Sequence, residues 1–272
     1  MAVICISREL AAGGEETARS LSAAGGYRFI EHSDIGAELE RNNITPETIV
    51  RYEEKKPRFW AALSENRDMY IHYLKQIIYT EAARGNCVIL GRGSGAILGG
   101  IPGVLTVLLV APRAERIARL QKTESCDERS AEHQLKQSDH DRLGFHQYFF
   151  DTNWQGPASY DLTINTGRVS IPEALELIEK ARQLRATPEK EAEGKTILER
   201  MQFENFIVGE IVYKQRIGIN SLSVAANGGD IVLSGSSVSQ TSVNNALEAA
   251  RAIPGVKSVS SDIIVVPPVP YK

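Results

Sequence analysis

Three parts of the sequence have residue types and spacings that could bind phosphate groups. The first is residues 7–14, a turn with two adjacent glycines between an apolar run and a predicted helix at 15–24. Such a turn presents backbone N–H groups to an anion, and the helix dipole adds to the attraction. The lysine and the serine or threonine of a Walker A loop are missing from their expected places. Taken alone, the turn is therefore more typical of a tight connection.

The second part is Gly91-Arg92-Gly93, which follows the apolar run 87–90. Ligands of open α/β sheets bind outside the carboxyl ends of the strands. An arginine at such an end can hold a phosphate through two parallel hydrogen bonds, and flanking glycines let the backbone come close. We favour this interpretation over a solvent-exposed loop arginine because a predicted strand immediately precedes the motif.

The third part is a charged segment, residues 113–142, whose cations could surround a transferring phosphoryl group. Arg116 and Arg119 are three residues apart and would share one face of a helix. The segment predicts either a helical hairpin that closes as a lid over phosphates or a solvent-exposed helix face, and the pattern alone favours the exposed face. Its basic residues are Arg113, Arg116, Arg119, Lys122, Arg129, Lys136 and Arg142, with Asp139 and Asp141 near its end.

Short apolar runs alternate with helical patterns through the first 185 residues. A nearly continuous apolar run is typical of a strand covered on both faces, and alternation of strands with helices predicts a parallel sheet between two layers of helices. We therefore predict an α/β domain over residues 1–185. Its strands are expected at 2–6, 27–30, 87–90, 105–110 and 162–164, and its helices at 15–24, within 45–84 and at 172–184.

The remainder of the chain has a different character. Residues 186–197 are dense in charge and poor in apolar side chains, which predicts a linker or an exposed helical spacer. Residues 198–272 contain two alternating runs around Asn227-Gly228-Gly229-Asp230, a hairpin signal, then an amphipathic helix at 243–253 and a last strand. This order predicts a small α+β domain, which its six basic and six acidic residues leave neutral.

Composition excludes several classes of partner and site. The formal net charge of −3 argues against a nucleic-acid polymer as partner, because nucleic-acid-binding domains are basic. The three cysteines have no short spacing that would indicate a zinc or redox site. No apolar stretch is long enough for a membrane span, and the first residues lack the features of a signal peptide. We therefore expect a cytoplasmic protein with no metal site of its own.

The motifs together resemble the cytidylate-kinase-like family over residues 1 to about 185. Five short motifs carry this resemblance in the order and spacing of the family: Ile4-Cys-Ile-Ser-Arg-Glu9 with Gly13-Gly14, Cys87-Val-Ile-Leu-Gly-Arg-Gly93, Val110-Ala-Pro112 with Arg116, Asp139-x-x-Arg142 and Tyr160-Asp-Leu-Thr-Ile-Asn-Thr166. Residues 198–272 resemble a BON domain, above all in the step Gly255-Val-Lys-Ser-Val259 before the last strand.

The resemblance implies a P-loop kinase-like parallel sheet with helices on both faces, plus a small α+β BON-like domain. The implied reaction is transfer of the γ-phosphoryl group of ATP to CMP or dCMP, with Mg²⁺ bridging the phosphates. The implied site residues are Ser7, Arg8, Gly13 and Gly14 for the nucleotide phosphates, Arg92 and Gly93 for the acceptor, and Arg116, Asp139 and Arg142 for catalysis in the lid.

The phosphate loop departs from the family at two places. Ala11-Ala12 stands where the family usually has Gly-Ser, and Glu15-Glu16 stands where it often has a basic residue before glutamate. A carboxylate beside a phosphate costs about 4 kcal/mol per pair of unit charges at ~4 Å with an effective dielectric near 20. The same carboxylates gain only about 0.3–1 kcal/mol each from the helix dipole.

These departures support a second hypothesis, a nucleotide-binding sensor or adaptor without turnover. The BON-like domain would then be a regulatory module that binds a protein partner, and a homo-oligomer is possible in either case. A third hypothesis, a membrane-surface protein, is weaker because a neutral domain has little attraction to anionic lipid.

Overall fold

The N-terminal strands are built from short runs of β-branched and other apolar residues. The computed structural model describes residues 2–52 and 66–266. Its first sheet has five parallel strands in the order β2-β3-β1-β4-β5, which confirms the predicted parallel sheet. The strands are β1 (Val3–Arg8), β2 (Arg28–Ile30), β3 (Cys87–Leu90), β4 (Val104–Val110) and β5 (Leu162–Asn165).

Helices follow or connect these strands and cover both faces of the sheet. Two of them, α1 and α8, pack on the face formed by Ile4, Ile6 and their neighbours. On the opposite face, Cys87 contacts a carbonyl of α4, and α5 lies against Thr106. The helices are α1 (Gly14–Gly25), α2 (His32–Arg41), α3 (Pro46–Tyr52), α4 (Asn66–Arg84), α5 (Ser94–Leu98), α6 (Arg113–Glu124), α7 (Glu128–Phe150) and α8 (Ile171–Arg185).

The sequence pattern predicts some of these helices and misses two short ones. The predicted helical segment 45–84 contains α3 and α4, and its middle part, 53–65, lies outside the described residues. The sequence pattern did not predict α2 or α5, which are short helices beside the sheet. Among the described residues, no helix combines the length and the apolar composition that crossing a bilayer requires.

Burial of the strands fixes the chemistry of two cysteines. Cys5 and Cys87 are fully buried in β1 and β3, and this burial raises the pKa of the Cys87 thiol to about 12 and that of Cys5 further still. Thiols with such a raised pKa are poor nucleophiles and poor metal ligands. They pack as small apolar side chains, as predicted.

The chain divides into two compact units, residues 1–197 and 198–272. Helix α9 (Pro188–Val208) occupies the stretch that the sequence predicts as a linker or a helical spacer. The predicted division, with a domain at 1–185, a linker at 186–197 and a second domain at 198–272, stays a proposal.

The C-terminal unit has a three-stranded sheet in the order β6-β7-β8. The hairpin of β6 (Asn220–Asn227) and β7 (Asp230–Ser237) is antiparallel and turns at Gly228 and Gly229, which have φ values of 59° and 101°. Positive φ explains the two glycines. After the hairpin, α10 (Gln240–Arg251) leads to β8 (Ser258–Val265), which pairs with β7 in parallel. A π-helical segment (Gly209–Lys214) precedes β6.

A buried histidine of α4 makes the stability of the N-terminal unit depend on pH. Burial, with the nearby charge of Lys75, lowers the pKa of His72 to about 4, whereas a histidine in the unfolded chain has a pKa of about 6.5. Below pH 6.5 the unfolded state therefore binds a proton that the folded state does not. We expect the free energy of unfolding to fall by about 2 kcal/mol between pH 7 and pH 5, as measured by urea denaturation. Replacing His72 by glutamine should flatten this dependence, and an unchanged slope would contradict the assignment.

Candidate functional site

The turn after β1 has a backbone that ends in a helix N-terminus without a side-chain cap. Gly13 is the N-cap of α1 with φ 74°, and Ala11 also has a positive φ of 61°. The first N–H groups of a helix have no acceptor within the helix. At α1 these N–H groups follow Gly13 and belong to Gly14, Glu15 and Glu16, so this turn has the backbone of an anion site.

The carbonyl groups of the same turn are held in place by hydrogen bonds from side chains elsewhere in the protein. Three successive carbonyl oxygens accept hydrogen bonds from α6 and from the residue after β5: Leu10 from Arg116 Nε (2.7 Å), Ala11 from Arg119 Nη1 (3.1 Å) and Ala12 from Thr166 Oγ1 (2.9 Å). The two arginines are the pair that the sequence places on one helix face. They fix the shape of the turn within the protein itself.

Arg116 forms an ion pair with Asp139 of α7, in which the arginine is buried and the aspartate is partly exposed. Nη1 and Nη2 of Arg116 donate to the two oxygens of Asp139 at 3.0 and 2.7 Å, and the arginine side chain is only 5% exposed. Glu9 Oε1 lies 3.4 Å from the same guanidinium. The prediction of a solvent-exposed helix face is therefore wrong for Arg116, whereas it is correct for Arg113 and Lys136, whose side chains are 55% and 68% exposed. Exposure follows tertiary contact, which the charge pattern does not contain.

Arg92 lies in a strained backbone at the carboxyl end of β3. Gly91, Arg92 and Gly93 have φ values of 71°, 53° and 70°, and the left-handed conformation costs an L-residue about 1–2 kcal/mol. The Arg92 side chain is buried, and its Nη1 donates to the hydroxyl of Tyr70 at 3.3 Å. Strain of this kind persists at functional sites, where the surrounding structure holds it in place.

His32 connects Arg92 to residues 8–14, the candidate phosphate turn after β1. Arg92 Nε donates to His32 Nδ1 at 3.0 Å, and Arg8 Nη2 lies 3.1 Å from His32 Nε2. The sequence analysis did not single out His32, because one histidine after a short strand carries no spacing signal. Its position after β2, at the carboxyl edge of the sheet, is the signal that could have found it.

A cleft of about 850 Å³ opens beside the phosphate turn. Of the predicted site residues, Arg8, Gly13, Gly14 and Arg142 line it. Arg142 of α7 donates to Ser138 Oγ, and its guanidinium carbon is 5.9 Å from the centre of the Trp154 ring. The remaining lining residues come from the turn and α1, from α7 and from the sheet edge: Glu9, Leu10, Ala11, Glu15, Glu16, His32, Leu90, His133, Gln134, Gln137, Ser138 and Asp141.

The other predicted site residues lie behind this cleft. Ser7 is buried at the end of β1. Arg92 does not line the cleft itself, but it is hydrogen-bonded to His32, which does. The ring of Phe150 packs against Gly93. A methyl group added at that glycine would lie 2.4 Å from a ring carbon of Phe150. Arg116 and Asp139 pair with each other beneath the turn. The structure thus brings a phosphate turn and a strand-end arginine together through one imidazole.

Two comparisons of the sequence with known families decide what this arrangement belongs to. Residues 3–168 match the cytidylate kinase-like family, and residues 207–267 match the BON domain. The chain belongs to the cytidylate kinase-like family. The predicted combination of a P-loop kinase-like fold with a C-terminal BON domain is confirmed.

Individual proteins are similar to this family member over limited regions. The crystal structure of an uncharacterized protein from Eubacterium ventriosum covers 68% of this chain and 100% of its own, with 20% identity and a TM-score of 0.54, and it shares the fold. A sugar kinase from Janibacter sp. has 15% identity, covers 69% of this chain and 99% of its own, and has a TM-score of 0.42. A uronate isomerase from Corynebacterium glutamicum is 28% identical over 98 residues, which are 36% of this chain but only 19% of that protein.

The cleft of this cytidylate kinase-like domain contains acidic as well as basic groups. Glu15, Glu16 and Asp141 line it together with Arg8 and Arg142. The Glu15 side chain is 70% exposed and lies 3.5 Å from Arg19 Nη2. Water and this arginine screen its charge, so the repulsion that the sequence predicts is weaker than for a buried pair.

The absence of a side chain at Gly14 leaves room for the side chain of Arg8. A methyl group at Gly14 would lie 2.4 Å from Arg8 Cγ and 2.7 Å from Arg8 Cβ.

Replacing Gly14 by alanine is therefore expected to displace Arg8 and to lower the affinity for a magnesium–ATP analogue about tenfold or more, since a hydrogen bond to a charged group contributes about 1.5–3 kcal/mol. Titration calorimetry measures this affinity. Gly36→Ala in α2, where nothing lies within 4 Å, is the matched control and should bind as the wild type does. Equal affinities for all three proteins would contradict the role of Gly14.

Proposed function

We propose that the protein transfers the γ-phosphoryl group of ATP to a pyrimidine nucleoside monophosphate, CMP or dCMP. The observation that carries this proposal is the connection of Arg8 and Arg92 through His32. One arginine belongs to the turn that binds phosphates in kinases of this fold, and the other to the end of a neighbouring strand. Two arginines on one imidazole would bring donor and acceptor phosphates close together, and phosphoryl transfer depends chiefly on such positioning.

Each site residue has a role in this proposal. Ser7, Arg8, Gly13 and Gly14 would bind the phosphates of ATP, and Arg92 and Gly93 would bind the monophosphate. Arg142 lines the cleft and would stabilise charge on the transferring group. Arg116 and Asp139 would act by positioning, because their ion pair holds the carbonyl of Leu10 and links α6 to α7.

The residues of the cleft fit ATP with magnesium. The uncapped N-terminus of α1 offers N–H groups to phosphate oxygens. Among the described residues, no group of three or more His, Cys, Asp or Glu side chains could hold a metal ion. Mg²⁺ commonly binds through substrate phosphates with one or two carboxylates, and Glu15, Glu16 and Asp141 are available in the cleft. When bound, the ion neutralises the charge that these carboxylates would otherwise repel.

The second candidate function is a nucleotide-binding sensor or adaptor without turnover. Glu15 and Glu16 in the cleft favour it. Ala11 favours it as well, because this alanine has a left-handed backbone conformation at a position where the family usually has glycine. In this case the BON domain would bind a protein partner and report the nucleotide state. A cytoplasmic location is part of both proposals, and both are compatible with a homo-oligomer.

A coupled assay of ADP release separates the two functions. The wild-type protein is given ATP, Mg²⁺ and one acceptor at a time: CMP, dCMP, UMP or AMP. Turnover that prefers a pyrimidine monophosphate supports the kinase. Absence of turnover, with a stabilisation of about 2–4 kcal/mol by saturating nucleotide, supports the sensor. A protein that neither turns over nor is stabilised would contradict both.

A further inference from the structure

The contacts of His32 contain a conflict of hydrogen-bond donors. Arginine has only donors, and a neutral imidazole has one acceptor nitrogen and one N–H group. Arg8 Nη2 and Arg92 Nε nevertheless face the two ring nitrogens of His32 at 3.1 and 3.0 Å. His32 can therefore accept a hydrogen bond from only one of these two arginines at a time.

The backbone of His32 is fixed, so the ring can leave the two arginines through rotation about its side-chain bonds alone. His32 is the first residue of α2, and β2 ends two residues before it at the buried Ile30. Glu31 forms a capping box with Asp34, in which the Glu31 N–H donates to Asp34 Oδ2 at 2.9 Å. Glu31 also pairs with Arg19 of α1 at 2.8 Å.

The two arginines, in contrast, come from different elements. Arg8 ends β1 and lines the phosphate cleft, whereas Arg92 follows β3 and lies behind it. A ligand anion at Arg8 competes with His32 for the N–H groups of that arginine. Whatever binds Arg8 therefore decides which ring nitrogen of His32 must be the acceptor.

We propose that His32 is a positioning residue that couples the two nucleotide subsites through its tautomer. This inference rests on the proposed function. When the ATP phosphates take the N–H groups of Arg8, His32 carries its proton on Nε2 and accepts Arg92 Nε–H at Nδ1. Without ATP the ring also adopts the other tautomer, in which it carries its proton on Nδ1 and accepts a hydrogen bond from Arg8 at Nε2. The change from that tautomer releases one proton from Nδ1 to water and takes one from water at Nε2, so the charge of the ring is unchanged. Arg92 is then held in one orientation by His32 and Tyr70, and ATP raises the affinity for the acceptor that this arginine would bind.

Two substitutions separate the two contacts. The amide oxygen of asparagine can take the place of Nδ1, and that of glutamine the place of Nε2. His32→Asn should therefore hold Arg92 at all times, whereas His32→Gln should hold Arg8 only. The probes are CMP, titrated by calorimetry with and without a non-hydrolysable ATP analogue and Mg²⁺.

The expected results differ in direction between the variants. In the wild type, the analogue should raise the affinity for CMP by about fivefold or more, the lower end of common coupling. His32→Asn should bind CMP tightly whether or not the analogue is present, and His32→Gln weakly in both cases, so that the ratio is near one in each. His140→Asn, at an exposed position of α7, is the matched control and should keep the wild-type ratio.

The outcomes that overturn the inference are distinct from failure of the proposed function. A wild-type ratio in both His32 variants, or an equal loss of CMP affinity in both, would overturn the tautomer coupling. Thermal unfolding of each variant shows that it is folded. If the wild type itself binds neither nucleotide, the proposed function fails and the inference fails with it.

Discussion

Replacing Arg116 by alanine is expected to lower the free energy of unfolding of the N-terminal unit by about 2–4 kcal/mol. The substitution leaves Asp139 without its bidentate partner and the carbonyl of Leu10 without its donor. Removing the buried partner of this ion pair is costly because the Asp139 carboxylate, 26% exposed, keeps only limited contact with water. Urea denaturation followed by tryptophan fluorescence measures the effect in this unit alone, since both tryptophans of the chain, Trp60 and Trp154, lie within residues 1–197.

Arg113, one turn earlier on α6, provides the matched control. Its side chain is 55% exposed and pairs with Glu132 of α7, and exposed pairs contribute about 0–1 kcal/mol. Arg113→Ala should therefore change the unfolding free energy little. A double variant, Arg116→Met with Asp139→Leu, should recover part of the loss because the Asp139 charge is removed together with its partner, although Glu9 still loses the nearby guanidinium. An Arg116→Ala protein as stable as Arg113→Ala would show that the ion pair does not hold α6 to α7.

Replacing Arg92 by alanine is expected to lower kcat/KM for the monophosphate acceptor by about 100- to 1000-fold, the effect of losing a preorganised charge-stabilising donor. The guanidinium is buried and held by His32 and Tyr70, so its orientation is set before the acceptor binds. Arg92→Lys keeps the charge but not the planar fork and should lie between the two proteins. The coupled assay with CMP measures all three.

One comparison tests whether the loss of kcat/KM belongs to the acceptor subsite, and a second measures the backbone strain at Arg92. The affinity for the ATP analogue should change much less than kcat/KM, and an equal fall in both would contradict the assignment of Arg92 to the acceptor. Arg92→Gly should be more stable than Arg92→Ala by about 1 kcal/mol, because glycine adopts the left-handed conformation at φ 53° without strain. The pair isolates the backbone strain from the loss of the side chain.

The sheet could be predicted from local sequence because its strands are buried on both faces. The runs at 87–90 and 105–110 are almost wholly apolar, and they correspond to β3 (Cys87–Leu90) and β4 (Val104–Val110). The spatial order β2-β3-β1-β4-β5 could not be predicted in this way. It depends on which strands pair across the chain, and no local pattern records that pairing.

The site could be predicted where a motif carries its chemistry in adjacent residues. Gly13-Gly14 precede the predicted helix at 15–24 and Arg92 follows the predicted strand at 87–90, and the structure places them at the start of α1 and after β3. Arg116 was misjudged because its partners, Leu10 and Asp139, are distant in sequence. His32 was missed for the same reason, since its role arises only where β1 and β3 bring two arginines to it.

The hydrogen bonds behind the phosphate turn determine when the turn becomes ordered. Its carbonyl oxygens at Leu10, Ala11 and Ala12 are bonded to α6 and to Thr166 within the protein. The conformational entropy of this segment is therefore lost during folding and not when a ligand arrives. Affinity improves when a binding loop already has its bound shape. In the proposed function, a nucleotide that enters this cleft would meet a surface whose backbone needs little rearrangement, so its recognition would be closer to lock-and-key than to induced fit.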